Sequence, residues 1–336
     1  MRLLLEVIRS LFSYILLVYN EEKHYTGWST REGVFIIQNF IRRQESRKEA
    51  HKFIKNFDPT IESERLFEAV PEKLYRFTSL NEYELDNIEK KEVTVTCPLL
   101  FNDAFDTRWQ KEFLPDDNPK IDSDIEKLLP GYKASRRAVK DGKLGKLVQK
   151  SLVNFPTQIF RAACFTTTES KDIFWGKYAD NSKGICIGYK DLEKDCFYPI
   201  IYSEVEVDTS QISDPLVDKD EFELALLVST INKKKDWSAE EEWRFLLANE
   251  LGWKDERFGA TPAAIDCIYL GEEFIEHWKE QKKRAKEKYD KILIPFLQKI
   301  QEQNIPLKIM EKSLHFGILT SNPITIEEVL ALIEVD

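Results

Sequence analysis

The sequence predicts an α+β fold, a mixed and mostly antiparallel sheet with surrounding helices, preceded by an N-terminal helical extension. Three observations lead there. From Lys73 onward, short β runs alternate with helices but lack the strict βαβ rhythm of a doubly wound sheet. Residues 1–70 have a helical texture throughout and form the expected extension, leaving 71–336 for the α+β domain. The 336 residues are 42% hydrophobic with only 12 Gly and 13 Pro, which suits a large folded core and excludes a disordered or collagen-like chain.

The extension opens with an apolar run from Leu3 to Tyr19, in which Leu3, Leu4, Val7, Leu11 and Tyr14 recur at helical spacing. Glu6 and Arg9 put two charges into it, so a packing or dimerisation helix is expected ahead of a membrane anchor. A homo-oligomer through residues 1–57 is one consequence of that stripe. A second helix starts near Ser29 or Thr30 and runs toward Phe57, its stretch Arg42 to Glu49 charged and expected to be solvated. Asp58-Pro59 closes it.

In the domain, Leu74 to Phe77 and Val93 to Cys97 have strand composition and flank a helix over Asn81 to Lys90, with Asn81 as its cap. Residues 121–153 read as mostly helical. Strands follow over Gln158 to Phe165, Gly184 to Tyr189 and Phe197 to Tyr202, then a helix from Phe222 to Asn232. Glu242 to Leu247 and Ala264 to Leu270 are further strands. The charged stretch 272–303 reads as one long helix that Pro295 should kink or interrupt. Strands at Pro306 to Met310 and Leu314 to Leu319 and a helix around Ile326 to Ile333 complete the chain.

Charge and composition bound the function. Fifty-nine acidic against 49 basic residues give a net charge of -10 and a pI near 5.2, which gives no support to wholesale nucleic-acid binding by counterion release. Five cysteines without a CxxC pair, and only four histidines, leave no zinc spacing, so the thiols are expected to be reduced core residues in a cytoplasm. No GxGxxG, P-loop, GxSxG or HExxH occurs.

Four polar clusters in aromatic surroundings remain as candidate sites. In Tyr75-Arg76-Phe77-Thr78-Ser79, period two puts Arg76 and Thr78 on one strand face, where the guanidinium either clamps a phosphate or forms a structural salt bridge. Phe101-Asn102-Asp103-Ala104-Phe105-Asp106 follows a strand, and its short polar side chains suit turn capping as well as ligand contact. In Trp175 to Gly184, a short helix is expected to end at Asn181. Trp175 and Tyr178, three apart, then share a face that stacks on a planar ring or wedges helix against sheet. In Asp236 to Arg244, an extended backbone would put Glu240, Glu242 and Arg244 on one face, as a solvated acidic run or as ionised acceptors for hydroxyls such as those of ribose.

Taken in order, Leu74-Tyr75-Arg76-Phe77-Thr78-Ser79-Leu80, Phe101 to Asp106, Cys164-Phe165-Thr166 with Trp175 to Gly184, Trp237 to Arg244, and Ile268-Tyr269-Leu270-Gly271 resemble the bacterial DUF2971 family over residues 73–320. The chain departs from it at Ala104, where the family often has Pro, and at Lys177, where it often has His. More distantly, the chain is similar to NAD-dependent ADP-ribosyltransferases of the DarT-like kind. That similarity implies NAD as the substrate. Arg76 and Thr78 would hold the nicotinamide ribose or phosphates, Tyr178 would stack on the nicotinamide, and Glu240 or Glu242 would orient the ribose hydroxyl and stabilise an oxocarbenium-like transition state. Asn102, Asp106, Trp175, Lys183 and Arg244 complete the expected nucleotide site. The function implied is ADP-ribosylation of a macromolecular acceptor by a toxin or phage-defence effector. The alternatives are a non-catalytic nucleotide-sensing or interaction module, and a nuclease holding Mg²⁺ with Asp103, Asp106, Glu240 and Glu242, which lacks the PD-x-ExK spacing.

Overall fold

The computed structural model describes residues 42, 44–101, 159–204, 219–248, 255–312 and 319–335. The apolar run at Leu3 to Tyr19, the cluster Asn102 to Asp106 and the helical stretch 121–153 lie outside them. Among the described residues no helix is long and apolar enough to cross a membrane.

The elements are helix α1 (Gln44–Phe57), strand β1 (Leu74–Thr78), α2 (Glu82–Lys90), β2 (Val93–Thr96), β3 (Phe160–Phe165), α3 (Asp172–Lys177), β4 (Ile185–Lys190), β5 (Phe197–Pro199) and β6 (Ile201–Ser203). They continue with α4 (Lys219–Ile231), β7 (Asn232–Lys234), β8 (Trp243–Ala248), β9 (Arg257–Ala260), β10 (Ala264–Leu270), α5 (Phe274–Arg284), α6 (Lys286–Lys288), α7 (Ile294–Glu302), β11 (Leu307–Lys312), β12 (Leu319–Pro323) and α8 (Ile326–Glu334). The arrangement is the α+β fold with mixed sheets that the sequence predicts. One sheet has the order β1-β4-β10-β11-β12 and is antiparallel except for the β10–β11 pair. Its parallel pair is joined by the crossover that carries α5 to α7. The second sheet, β5-β8-β3-β2-β9, is antiparallel throughout, and β6 and β7 form a small parallel pair.

The two large sheets meet at one bridge: the Tyr75 and Thr166 backbones exchange two hydrogen bonds of 2.9 Å each. Leu74, Ile187, Ile268, Phe165 and Phe245 of the two sheets are all buried in one core with Trp278 and Phe296 of the crossover helices. A second core packs Ala50 and Ile54 of α1, with Leu226, Val228 and Ile231 of α4, against Tyr198, Ile200 and Leu246. Each such large side chain contributes about 1.5–3 kcal/mol on burial.

Local chemistry accounts for the ends of these elements. Asn81 caps α2 as expected, its side chain accepting from the Glu84 N–H at 3.0 Å. Thr325 and Glu328 form a reciprocal capping box at the start of α8. Three expectations need correction. The strand expected over Phe197 to Tyr202 is two strands in different sheets, because Pro199 has no N–H to continue the ladder and the chain changes partner at Ile200, which bonds the Glu242 carbonyl at 2.9 Å. The long helix over 272–303 breaks at Ala285, whose backbone has φ -143 and ψ 60, upstream of Pro295. Pro295 opens α7 instead, and the turn before it, Tyr289–Leu293, is wound as a π-helix. Apart from Leu319, the late strand expected over Leu314 to Leu319 lies outside the described residues; β12 covers Leu319–Pro323. Nor is the charged face of α1 fully solvated: Ser46 is buried, and the Arg47 guanidinium donates to the Leu66 and Phe197 carbonyls and lies 4.8 Å from the Tyr198 ring centroid.

Candidate functional site

A cleft of about 640 Å³ opens where the two large sheets part below the Tyr75–Thr166 bridge. Its walls come from β1, α2, β2, β3, the end of α3, β9 and the segment from Lys233 to Arg244. Arg76, Thr78, Tyr178, Glu240, Glu242 and Arg244, scattered through the sequence, all line it.

The centre of the cleft is a chain of alternating charges. The Tyr178 hydroxyl donates to Glu240 Oε1 at 2.6 Å, and Lys177 Nζ reaches the same oxygen at 3.0 Å. Lys233 Nζ bridges Glu240 Oε2 at 2.8 Å and Glu242 Oε2 at 2.9 Å. Arg244 Nε donates to Glu242 Oε1 at 2.6 Å, while its Nη1 bonds the Thr230 carbonyl at 2.8 Å. Lys233, Glu240, Glu242 and Arg244 are all buried, which is tolerable only because the charges alternate and are hydrogen-bonded.

The backbone explains how these side chains converge. Lys235–Glu240 is a 3₁₀ turn, and Glu241 adopts φ 46 and ψ 43 before β8 begins at Trp243. Glu240 and Glu242 therefore do not sit on one extended strand as the spacing suggested; a left-handed residue between them brings both carboxylates to Lys233. Thr166 holds the turn by donating to the Glu240 carbonyl at 2.9 Å, and the Glu242 N–H donates to the Tyr202 hydroxyl at 2.9 Å. Trp237 covers the group, with Lys177 Nζ 3.6 Å and Lys233 Nζ 4.7 Å from its ring centroid.

Burial would raise the Glu242 carboxyl, but Arg244 and Lys233 beside it bring it down to about 2. Burial and the Glu240 carboxylate push the Tyr178 hydroxyl up, so it remains a donor at neutral pH. Burial also pushes the Cys164 thiol well up, and the Glu242 charge adds to the effect.

On the opposite wall Arg76 makes the salt bridge that was its structural alternative, to Glu84 Oε2 at 3.1 Å, and Thr78 Oγ1 reaches the same oxygen at 3.3 Å. The Arg76 guanidinium retains further N–H donors and borders the cleft. Trp175 and Lys183 are not brought to this cleft. Trp175, within α3, turns into the core, packs edge-on against Phe77 and donates its Nε1–H to the Glu169 carbonyl at 2.7 Å, and α3 ends at Lys177, short of the expected Asn181. Lys183 lines a neighbouring cleft. Asn102, Asp103 and Asp106 fall outside the described residues.

Several contributors were given no role in the site from the sequence. Lys233 looks like the polar end of a helix, and Glu84 like an ordinary first-turn acid. Cys164 faces Arg244 across the β3–β8 ladder. Tyr83, 83% exposed, stands at the rim with its ring in water. An exposed aromatic beside a polar cleft is the one of these signals that inspection of α2 could have found.

The comparisons bear on part of this region. Residues 174–245 match the family model DUF2971, described as a protein of unknown function. The match spans Tyr178, Lys233, Glu240, Glu242 and Arg244 and leaves Arg76, Thr78 and Glu84 outside it. No curated protein and no solved structure matches the chain. The DUF2971 resemblance is thus supported over that segment, and the comparisons return no ADP-ribosyltransferase.

Proposed function

We propose that the cleft binds a dinucleotide of the NAD type and that Glu240 works on its nicotinamide ribose, so that ADP-ribose passes to a macromolecular acceptor. The supporting observation is the Glu240 carboxylate, which borders the cleft with Oε1 oriented by Tyr178 and Lys177 and Oε2 by Lys233. Glu242 is the less suitable carboxylate because it lies deeper, its side chain 5% exposed against 10% for Glu240.

In that chemistry the bond between ribose C1′ and the nicotinamide nitrogen breaks, and its electron pair leaves with neutral nicotinamide. The cationic ribose carbon is then attacked by an acceptor oxygen or nitrogen, which gives up its proton. A fixed carboxylate helps because the positive charge exists only near the transition state. Glu240 would also accept a hydrogen bond from a ribose hydroxyl, and the aromatic rim at Tyr83, Phe101 and Phe258 would stack on planar rings. Lys233, lying between the two carboxylates, stands where a bridging Mg²⁺ would have to sit, which weighs against the nuclease alternative.

The test is release of nicotinamide from NAD, with transfer of labelled ADP-ribose to cell-extract macromolecules, by wild type and Glu240→Gln. Absence of both NAD binding and nicotinamide release in the wild type overturns the proposal. Should the activity be that of a toxin or phage-defence effector, expression of wild type but not Glu240→Gln arrests growth. The engagement of every oxygen of Glu240 and Glu242 by a neighbouring donor favours a second possibility, a nucleotide-sensing module without turnover. Binding of NAD with no release of nicotinamide selects it.

A further inference from the structure

Beyond Tyr178 lies a second cleft of about 460 Å³, which shares Asn81 and Tyr178 with the first. Its lining is rich in cations: Lys177, Lys183 and Lys288 stand with His277 around it, and among the described residues that line it Asp180 is the one acid. Lys177 is held by Glu240 at 3.0 Å. Among the described residues no carboxylate pairs with Lys183 or Lys288.

The backbone that presents Lys183 is unusually fixed. Asp180, Asn181 and Ser182 have φ of 50, 54 and 65, a run of left-handed residues closed by Gly184. The Ser182 N–H bonds the Trp175 carbonyl at 2.9 Å, and the Gly184 N–H bonds that of Ala179 at 2.8 Å. From the other side, the Glu273 N–H bonds the Ser182 carbonyl at 3.0 Å. A Cβ on Gly184 would lie 2.3 Å from the Thr78 carbonyl oxygen, and one on Gly271 would lie 2.0 Å from that of Ser182, so β1, this turn and the start of α5 are packed backbone to backbone. Lys288 enters from α6, with Nζ 5.9 Å from the Trp278 ring centroid, and His277 enters from α5. The imidazole feels the lysines: burial first, then Lys288 and Lys183, keep it below its ordinary value, while Asp180 and Glu280 oppose them.

We infer that this second cleft is an anion subsite that takes a phosphate or pyrophosphate group through Lys183, Lys288 and the His277 imidazole. Two ammonium groups held over one concavity repel each other until an anion enters, and an imidazole N–H adds a directional donor. The inference does not depend on which molecule fills the first cleft. The anion is either a free one or the phosphate portion of a ligand whose other end lies beyond Tyr178.

Calorimetric titration of the full chain with inorganic pyrophosphate tests it. Wild type binds, and Lys183→Ala combined with Lys288→Ala weakens binding by at least about tenfold, the loss expected for two charge-assisted contacts. A charge-matched control, Lys55→Ala with Lys312→Ala, removes two lysines that line neither cleft and leaves binding unchanged. Equal binding by wild type and the Lys183/Lys288 variant, or equal weakening by the control, overturns the inference. Pyrophosphate displaced by saturating ADP-ribose assigns the group to a ligand spanning both clefts, and pyrophosphate bound alongside ADP-ribose assigns it to a separate anion. A wild type that binds pyrophosphate but releases no nicotinamide from NAD separates the fate of this subsite from that of the transferase.

Discussion

The Tyr178 hydroxyl and the Glu240 carboxylate meet at 2.6 Å across 62 residues of sequence, and their bond joins the end of α3 to the turn before β8. Tyr178→Phe keeps the ring and removes the donor. Stability should fall by about 1–2 kcal/mol, the usual worth of a hydrogen bond to a charged acceptor at a half-buried site, as read from urea denaturation. If the hydroxyl also orients Glu240 for chemistry, nicotinamide release should drop while the KM for NAD holds.

Lys233 holds two carboxylates apart. Lys233→Ala should be the most damaging single change in the cleft, because it leaves Glu240 and Glu242 facing each other without their shared cation. A loss of about 3–5 kcal/mol is expected, measured by thermal or urea unfolding. Part of that loss should return in the Lys233→Ala, Glu240→Gln double variant, which removes one of the two charges.

Acid should expose the Glu242 contribution. Its carboxyl is depressed to about 2 in the folded protein, below the ordinary glutamate value of about 4.5. The stabilisation is therefore complete above about pH 4.5 and is lost as pH falls toward 2. A series of urea transitions across that window should show a steep decline for wild type and a shallower one for Glu242→Gln, although the variant is less stable at neutral pH. Parallel curves for the two proteins would assign the acid limb to other carboxylates such as Asp266, which is also held low.

Gly184→Ala should destabilise by about 1–3 kcal/mol, since its Cβ meets fixed backbone oxygen instead of a side chain that can swing away. Gly176→Ala is the control: nothing lies within 4 Å of its Cβ, and its melting temperature should stay the same or rise.

Cys164 should resist iodoacetamide in the native state at pH 8 and react after denaturation, with mass spectrometry reading the adduct. Its thiol lines the cleft, but burial and the neighbouring Glu242 keep it protonated.

The strands of the domain were legible because their composition and alternation are local properties. Arg76 and Thr78 share a face because any strand would put them there. Asn81 caps α2 because a short polar side chain ahead of Glu84 has few better uses. The cleft was legible only in part. Trp175 and Tyr178 stand three apart, yet Trp175 is taken up by Phe77 in the core while Tyr178 reaches Glu240, and neither long-range partner can be read from the local spacing. Lys233 follows the apolar run of α4 and resembles a solvated helix end, because nothing in its neighbours announces that β7 will press it between two glutamates. The left-handed Glu241 was equally hidden, since glutamate carries no preference for that conformation.

Thr166 belongs to two attachments at once. Its backbone makes the bridge to Tyr75 that joins the two large sheets, and its hydroxyl holds the Glu240 carbonyl. Any sliding of one sheet against the other at that seam moves the turn that carries Glu240, so the width of the cleft and the position of its carboxylate are geared together. A dinucleotide bound as proposed would therefore bear on the position of Glu240 through the seam as well as by direct contact.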